Sequence, residues 1–211
     1  MMLVQEVMQR GVVVVSPDTE LSEAMRLLQR RGIRHLPVLD QGKLVGIISD
    51  RDVKAAPGAG AMSPAGAQPH ARPTARDIMT RAVVTIAPMF PVEEAARIMV
   101  TRKISALPVT AGDRLIGIVT ETDVLDLFVR AMGVTEPSSR LDVTLGDDPH
   151  ALDQVVQAVE ASGVAISSIM TLKSPVTGMR EAVIRVTTIA PGAAVKALET
   201  RGFAVRDSWR G

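Results

Sequence analysis

The chemistry this sequence can offer centres on two aspartates. Ser49 and Asp52 stand three residues apart after the run Leu44-Val45-Gly46-Ile47-Ile48, and Thr120 and Asp123 do so after Leu115-Ile116-Gly117-Ile118-Val119. Each hydroxyl closes a β-branched apolar run, and each aspartate falls in the first turn of the helix that follows. A single such pair reads equally well as a helix start, where Ser or Thr caps a backbone N–H and Asp suits the dipole. The same spacing at the end of two buried runs points instead to a paired ligand site. An aspartate there can accept hydrogen bonds from both vicinal hydroxyls of a ribose. The helix N-terminus beside it can face phosphate.

Each pair is preceded by a matching entry, Ile33-Arg34-His35-Leu36-Pro37-Val38 and Ile104-Ser105-Ala106-Leu107-Pro108-Val109. A proline at a strand start leaves neighbouring backbone groups outside the ladder, free to read the edge of a base; an ordinary edge-strand proline is the alternative. Arg34-His35 differs from its counterpart Ser105-Ala106. A cation and an imidazole at a cleft mouth suit phosphate, while a solvated surface pair is the plainer reading.

The elements that must position these residues are themselves repeated. A shift of 71 residues aligns Glu6–Lys54 with Asp77–Leu125 without a gap, and about a third of the paired residues are identical, far above chance. Each copy predicts the same order. A short strand (Val12–Val15, Val83–Ile86) is stopped by Ser16-Pro17 or Ala87-Pro88. An amphipathic helix follows, with Leu21, Ala24, Met25, Leu27 and Leu28 or Val92, Ala95, Ala96, Ile98 and Met99 as its apolar stripe. Two strands joined by a turn come next (His35–Leu39 and Leu44–Ser49; Ala106–Thr110 and Leu115–Thr120), and a second helix starts at Asp50 or Glu121. This β-α-β-β-α unit is too small to bury its sheet alone, so two copies are expected to pack through their sheets. The stretch 57–73, rich in Ala, Gly, Pro and Ser, reads as a flexible linker in which His70 and Arg72 carry no chemistry.

After a hinge at 134–139 the rhythm changes. Leu141–Leu145, Ile166–Leu172, Ala182–Thr187 and Phe203–Arg206 are expected strands. One helix starts with Asp148 as N-cap and Pro149 at its first position, and another covers Pro191–Arg201. The order β-α-β-β-α-β predicts a ferredoxin-like antiparallel sheet, so the fold class is α/β (α+β).

Other functions find little support. The chain has 211 residues, no Cys and a net charge of +1. That excludes thiolate chemistry and gives no overall field toward nucleic acid or membrane. His35, His70 and His150 are too scattered for a metal site. The aromatic set is only Phe90, Phe128, Phe203 and Trp209, too sparse for base stacking. No apolar run reaches the roughly 18 residues that span a bilayer, and no secretory signal opens the chain, so a cytoplasmic protein is expected. No nucleophile elbow, phosphate loop or catalytic constellation is present, so the chain is not expected to be an enzyme.

The doubled motifs resemble a tandem pair of CBS domains, a Bateman module. They are Val7-Met8, the Leu36-Pro37-Val38 entry and Gly46-Ile47-Ile48-Ser49-Asp50-Arg51-Asp52, with Ile78-Met79, Leu107-Pro108-Val109 and Gly117-Ile118-Val119-Thr120-Glu121-Thr122-Asp123. The tail resembles an ACT domain through its element order, the Asp148-Pro149 turn and the helix end at Gly163. The combination is similar to AcuB-type acetoin-utilisation proteins. The resemblance implies repeats at 1–56 and 74–133, an ACT-like domain at 140–211, and a non-catalytic homodimeric sensor of AMP, ADP, ATP or S-adenosylmethionine that signals to a regulated enzyme. A dimerisation protein with degenerate sites is the alternative. By position, one site would use Val14, Ile33, Arg34 and His35 with Thr120, Thr122 and Asp123. The other would use Thr85, Ile104, Ser105 and Ala106 with Ser49, Arg51 and Asp52. Arg34 and His35 would give the first site the preference for the more phosphorylated ligand. In the tail, His150 and Val164-Ala165 replace the usual Gly and Asn of amino-acid-binding members, which leaves dimerisation as its expected role.

Overall fold

The apolar spacing of each repeat does produce its helix, in a computed structural model that describes residues 2–56, 72–175 and 177–207. His70, Trp209 and nearly all of the expected linker lie outside the described residues. A short helix α1 (Val4–Val7) precedes α2 (Leu21–Arg31), which buries Leu21, Ala24 and Leu28. Gly32 ends α2 in the left-handed conformation, with φ of 62°, a cap that a residue without Cβ adopts freely. The hairpin β1 (His35–Asp40) and β2 (Lys43–Ser49) then leads into α3 (Asp50–Ala55). The second repeat follows the same plan with α4 (Ala75–Ile78), α5 (Val92–Arg102), β3 (Ala106–Ala111), β4 (Arg114–Thr120) and α6 (Glu121–Ala131). Both hairpins carry their irregularity at the same place, Val38/Leu39 and Val109/Thr110.

One expectation needs correction. Val12–Val15 and Val83–Ile86 are not strands. Each meets its hairpin at one parallel bridge, Val15 to Val38 and Ile86 to Val109. Pro17 and Pro88 follow closely and have no N–H with which to extend a ladder. The carbonyls of the prolines in the Leu-Pro-Val entries each accept one hydrogen bond from within their own repeat. Pro37 pairs with Ile47 inside β1, and its carbonyl accepts the Val15 N–H at 3.1 Å; the Pro108 carbonyl accepts that of Ile86 at 3.1 Å.

The repeats exchange their leading segments. Val4 and Met8 are buried in the second repeat's core with Met99, Leu107 and Val119. Ala75 and Met79 are buried in the first, with Leu28, Leu36 and Ile48. The exchange is fastened by reciprocal backbone hydrogen bonds. Gln9 N–H reaches Ile118 O at 2.8 Å and Ile118 N–H returns to Gln9 O at 3.0 Å; Thr80 and Ile47 form the matching pair at 3.0 and 3.1 Å. Glycine is required where each methionine crosses. A Cβ on Gly46 would sit 2.6 Å from Met79 Sδ, and one on Gly117 would sit 2.5 Å from Met8 Sδ.

The chain divides into two compact units, 1–124 and 125–211, so α6 starts in the first and continues into the second. The expected hinge at 134–139 lies within the second unit. That unit contains β5 (Ser139–Thr144), α7 (Ala151–Ala161), β6 (Ile166–Lys173), β7 (Arg180–Val186), α8 (Gly192–Thr200) and β8 (Val205–Asp207). The strands form an antiparallel sheet in the order β6-β7-β5-β8, the ferredoxin-like arrangement. Leu141, Val143 and Ile184 of the sheet pack with Val155 and Val159 of α7 and Leu198 of α8. Helix α7 starts later than expected. His150 is its N-cap, and Asp148 supports the turn from outside by accepting the His150 N–H at 2.8 Å.

Candidate binding clefts

Ser49 and Thr120 end their strands at the edge where the repeats meet. In both copies the helix that follows is started by one closed set of hydrogen bonds. Asp52 Oδ2 accepts Ser49 N–H at 2.8 Å and Ser49 Oγ–H at 2.7 Å, and the Asp52 N–H returns to Ser49 Oγ at 3.2 Å. Asp123 Oδ2 accepts Thr120 N–H at 2.8 Å and Thr120 Oγ1–H at 2.7 Å, with the return bond at 3.4 Å. The motif is therefore a reciprocal cap that engages Oδ2 of each aspartate; Oδ1 takes no part in the cap, and Asp123 Oδ1 accepts the Gln9 Nε2–H at 2.8 Å.

Each aspartate opens onto its own cleft, and each cleft is built from both repeats. The Asp52 cleft, about 420 Å³, is lined by Ser49, Asp50, Arg51 and Asp52 of the first repeat and by Thr80, Val83, Val84, Lys103, Ile104, Ser105, Ala106 and Glu121 of the second. The Asp123 cleft, about 440 Å³, is lined by Gln9, Arg10, Val12, Val13, Arg31, Gly32 and Ile33 with Ile118, Thr120, Thr122 and Asp123. Both volumes fall in the range of small-molecule sites. Arg34 and His35 line the Asp123 cleft, as expected, and the Asp52 cleft as well. They form the wall between the two. Arg34 Nη2 donates to Thr122 Oγ1 at 2.9 Å, and His35 Nε2 shares a 2.9 Å hydrogen bond with Ser105 Oγ.

The structure gathers Ser49, Arg51, Asp52, Ile104, Ser105 and Ala106 on one side, and Ile33, Arg34, His35, Thr120, Thr122 and Asp123 on the other. It does not gather Val14 or Thr85. Val14 is exposed, and Thr85 lines a separate depression with Lys43 and Arg81. Val15 and Ile86 face the cores in an extended backbone, so the residue just before each points away. The Val12-Val13 and Val83-Val84 pairs take the lining role instead. Sequence reasoning also missed Gln9, Arg10, Arg31, Thr80 and Lys103. One signal was available for Lys103: it stands where the first repeat has Gly32 and holds φ of 56°, an uncommon conformation for a residue with Cβ.

The clefts differ in charge. In the Asp52 cleft, Arg34, Arg51 and Lys103 are balanced by Asp50, Asp52 and Glu121. In the Asp123 cleft, Arg10, Arg31 and Arg34 meet one carboxylate among the described residues, Asp123. Burial and the neighbouring Arg34 hold the His35 imidazole below its ordinary range, so it is neutral at pH 7 and leaves this difference intact. The Asp50 carboxyl lies below the usual carboxylate range because it accepts a hydrogen bond from Lys54 at 2.9 Å.

Comparison with known proteins agrees with this architecture. The family model described as "CBS domain" matches twice, at residues 4–58 and 75–130. Inosine-5'-monophosphate dehydrogenase of Korarchaeum cryptofilum is 34% identical over 146 residues, which are 69% of this chain and 28% of that enzyme. The chain thus spans less than a third of that relative's length. Among solved structures, the CBS domain pair of protein MJ0100, in complex with 5'-methylthioadenosine and S-adenosyl-L-methionine, is 32% identical with a TM-score of 0.52 over 61% of this chain and 96% of that one. CBSX2 in complex with AMP is 26% identical, with a TM-score of 0.53 over 62% and 98%. A Vibrio cholerae protein assigned to acetoin utilization (AcuB) is 28% identical, with a TM-score of 0.52 over 65% and 99%.

Proposed function

This chain belongs to the CBS domain family, and from that membership we propose that it is a non-catalytic sensor whose two clefts take adenosyl ligands. The observation that carries the reading is the doubled cleft: two aspartates, each lining a cavity that draws residues from both repeats and carries three cations. A ribose hydroxyl suits the carboxylate, and Arg and Lys suit a phosphate chain. The complexes of MJ0100 and CBSX2 support the ligand class. The charge difference supports a division of labour. The Asp123 cleft prefers the more phosphorylated ligand, through Arg10 and Arg31 as well as Arg34. The Asp52 cleft prefers ligands with less negative charge.

Because each cleft draws on both repeats, a ligand changes how the repeats pack, and that change is the signal. Couplings of this kind are typically about 1–3 kcal/mol. We assign its reading to the ferredoxin-like second unit, acting as an ACT-like dimerisation domain, or to a partner enzyme in the cytoplasm. The likeness to the AcuB protein favours acetoin or acetate carbon metabolism as the setting. One observation favours a purely structural dimerisation role instead: Asp52 Oδ2 and Asp123 Oδ2 are already engaged in helix caps. A thermal-shift panel of AMP, ADP, ATP and S-adenosylmethionine separates the two readings. A ligand at about a hundred times its Kd stabilises by about 2.7 kcal/mol. A melting temperature indifferent to all four favours the structural role.

A further inference from the structure

The two repeats provide an internal control on each other, and at one position the control fails. Gln9 and Thr80 occupy the same place, each held by a reciprocal backbone pair two residues before the capping hydroxyl. Their side chains then do different things. Gln9 Nε2 donates to Asp123 Oδ1 at 2.8 Å. Thr80 lines the Asp52 cleft, but Asp52 Oδ1 has no hydrogen-bond partner among the described residues. Since Oδ2 of both aspartates is engaged in the cap, Oδ1 is the atom a ligand hydroxyl must use. In one cleft it is open; in the other a primary amide of this same chain already holds it.

We infer that Gln9 is a built-in competitor for ribose at Asp123, so that the two clefts discriminate ligands by different means and fill in an order set by ligand charge. The inference rests on the adenosyl-binding reading of the clefts. A nucleoside without phosphate must displace the Gln9 amide to reach Asp123, so it enters the Asp52 cleft first. A polyphosphate gains Arg10, Arg31 and Arg34 at the Asp123 cleft, which offsets the displacement. Gln9 thereby acts as a specificity-determining residue that screens out uncharged nucleosides. The side chain has a direct route to this effect. A hydrogen bond to a charged acceptor is stronger than a neutral one, and any ligand that breaks it leaves the amide to find water.

The test is a residue-resolved NMR titration of the full chain with adenosine, reading the backbone amides of Ser49–Asp52 and Thr120–Asp123 separately. In the wild type, the Ser49–Asp52 signals should saturate at lower adenosine than the Thr120–Asp123 signals. Gln9→Thr, which copies the second repeat, should tighten the Thr120–Asp123 response about threefold to tenfold. Thr80→Gln should weaken the Ser49–Asp52 response by a similar factor. The Gln9 side-chain amide signals should also move when the Asp123 cleft is saturated. Amides outside the clefts report whether each variant is folded. Wild-type binding with a Thr120–Asp123 response that Gln9→Thr leaves unchanged or weakens overturns the role of Gln9 alone. No response to adenosine, AMP or ATP at either cleft overturns the adenosyl reading, and the inference with it.

Discussion

One added methyl group tests the exchange of segments that builds both clefts. In Gly117→Ala the new Cβ would lie 2.5 Å from Met8 Sδ, 3.0 Å from Met8 Cγ and 3.1 Å from the carbonyl oxygen of Gln9. Met8 is only 7% exposed and cannot swing out without giving up its place in the second core. Gln9 O is backbone, fixed by its pair with Ile118. Overpacking of this kind costs about 2–3 kcal/mol, or roughly 8–12 °C in melting temperature for a unit of this size. In Gly46→Ala the three nearest atoms all belong to the Met79 side chain, so about 1–2 kcal/mol is expected. Urea and thermal unfolding of both variants measure the difference. Met8→Ala should relieve Gly117→Ala: the double variant should be less destabilised than the sum of the singles by at least about 1 kcal/mol. A Gly117→Ala protein that melts with the wild type, or strict additivity with Met8→Ala, would refute the packing argument.

Three further outcomes follow from the clefts. His35 is held neutral below its ordinary value of 6.5, while the unfolded chain protonates near that value. Between the two the unfolded state binds more protons, so stability is complete above pH about 6.5 and falls as pH drops through it. The melting temperature between pH about 7.5 and about 5.5 should therefore fall more steeply in the wild type than in His35→Gln. Ser49→Ala removes a cap hydroxyl and should cost about 1 kcal/mol in denaturant unfolding, and Thr120→Ala a similar amount. Arg31→Ala should weaken ATP at the Asp123 cleft about tenfold by calorimetry and leave adenosine nearly unchanged.

Much of this was legible in the chain because the repeat announces itself. Identical spacing fixes both hairpins, both helix stripes and the register of Ser49-Asp52 against Thr120-Asp123. The ferredoxin-like tail was legible from element order, with boundaries shifted by a residue or two. What the sequence concealed depends on side-chain direction and on contacts across the repeats. Val14 and Thr85 look apt as lining residues until Val15 and Ile86 are seen to face the cores. The sharing of Arg34 and His35 by both clefts follows from two hydrogen bonds across the interface, to Thr122 and Ser105, which no local pattern encodes. Gln9 lies outside every motif, yet it reaches Asp123 across 114 positions.

Adenosyl binding at the two clefts is tested most directly by a calorimetric titration of AMP, ADP, ATP and S-adenosylmethionine into wild type, Asp52→Ala and Asp123→Ala. Binding by the wild type and selective loss in each variant are expected, with the heat of the more phosphorylated ligands lost chiefly in Asp123→Ala. Absence of binding by the wild type, or binding unchanged in both variants, would contradict adenosyl binding at the clefts.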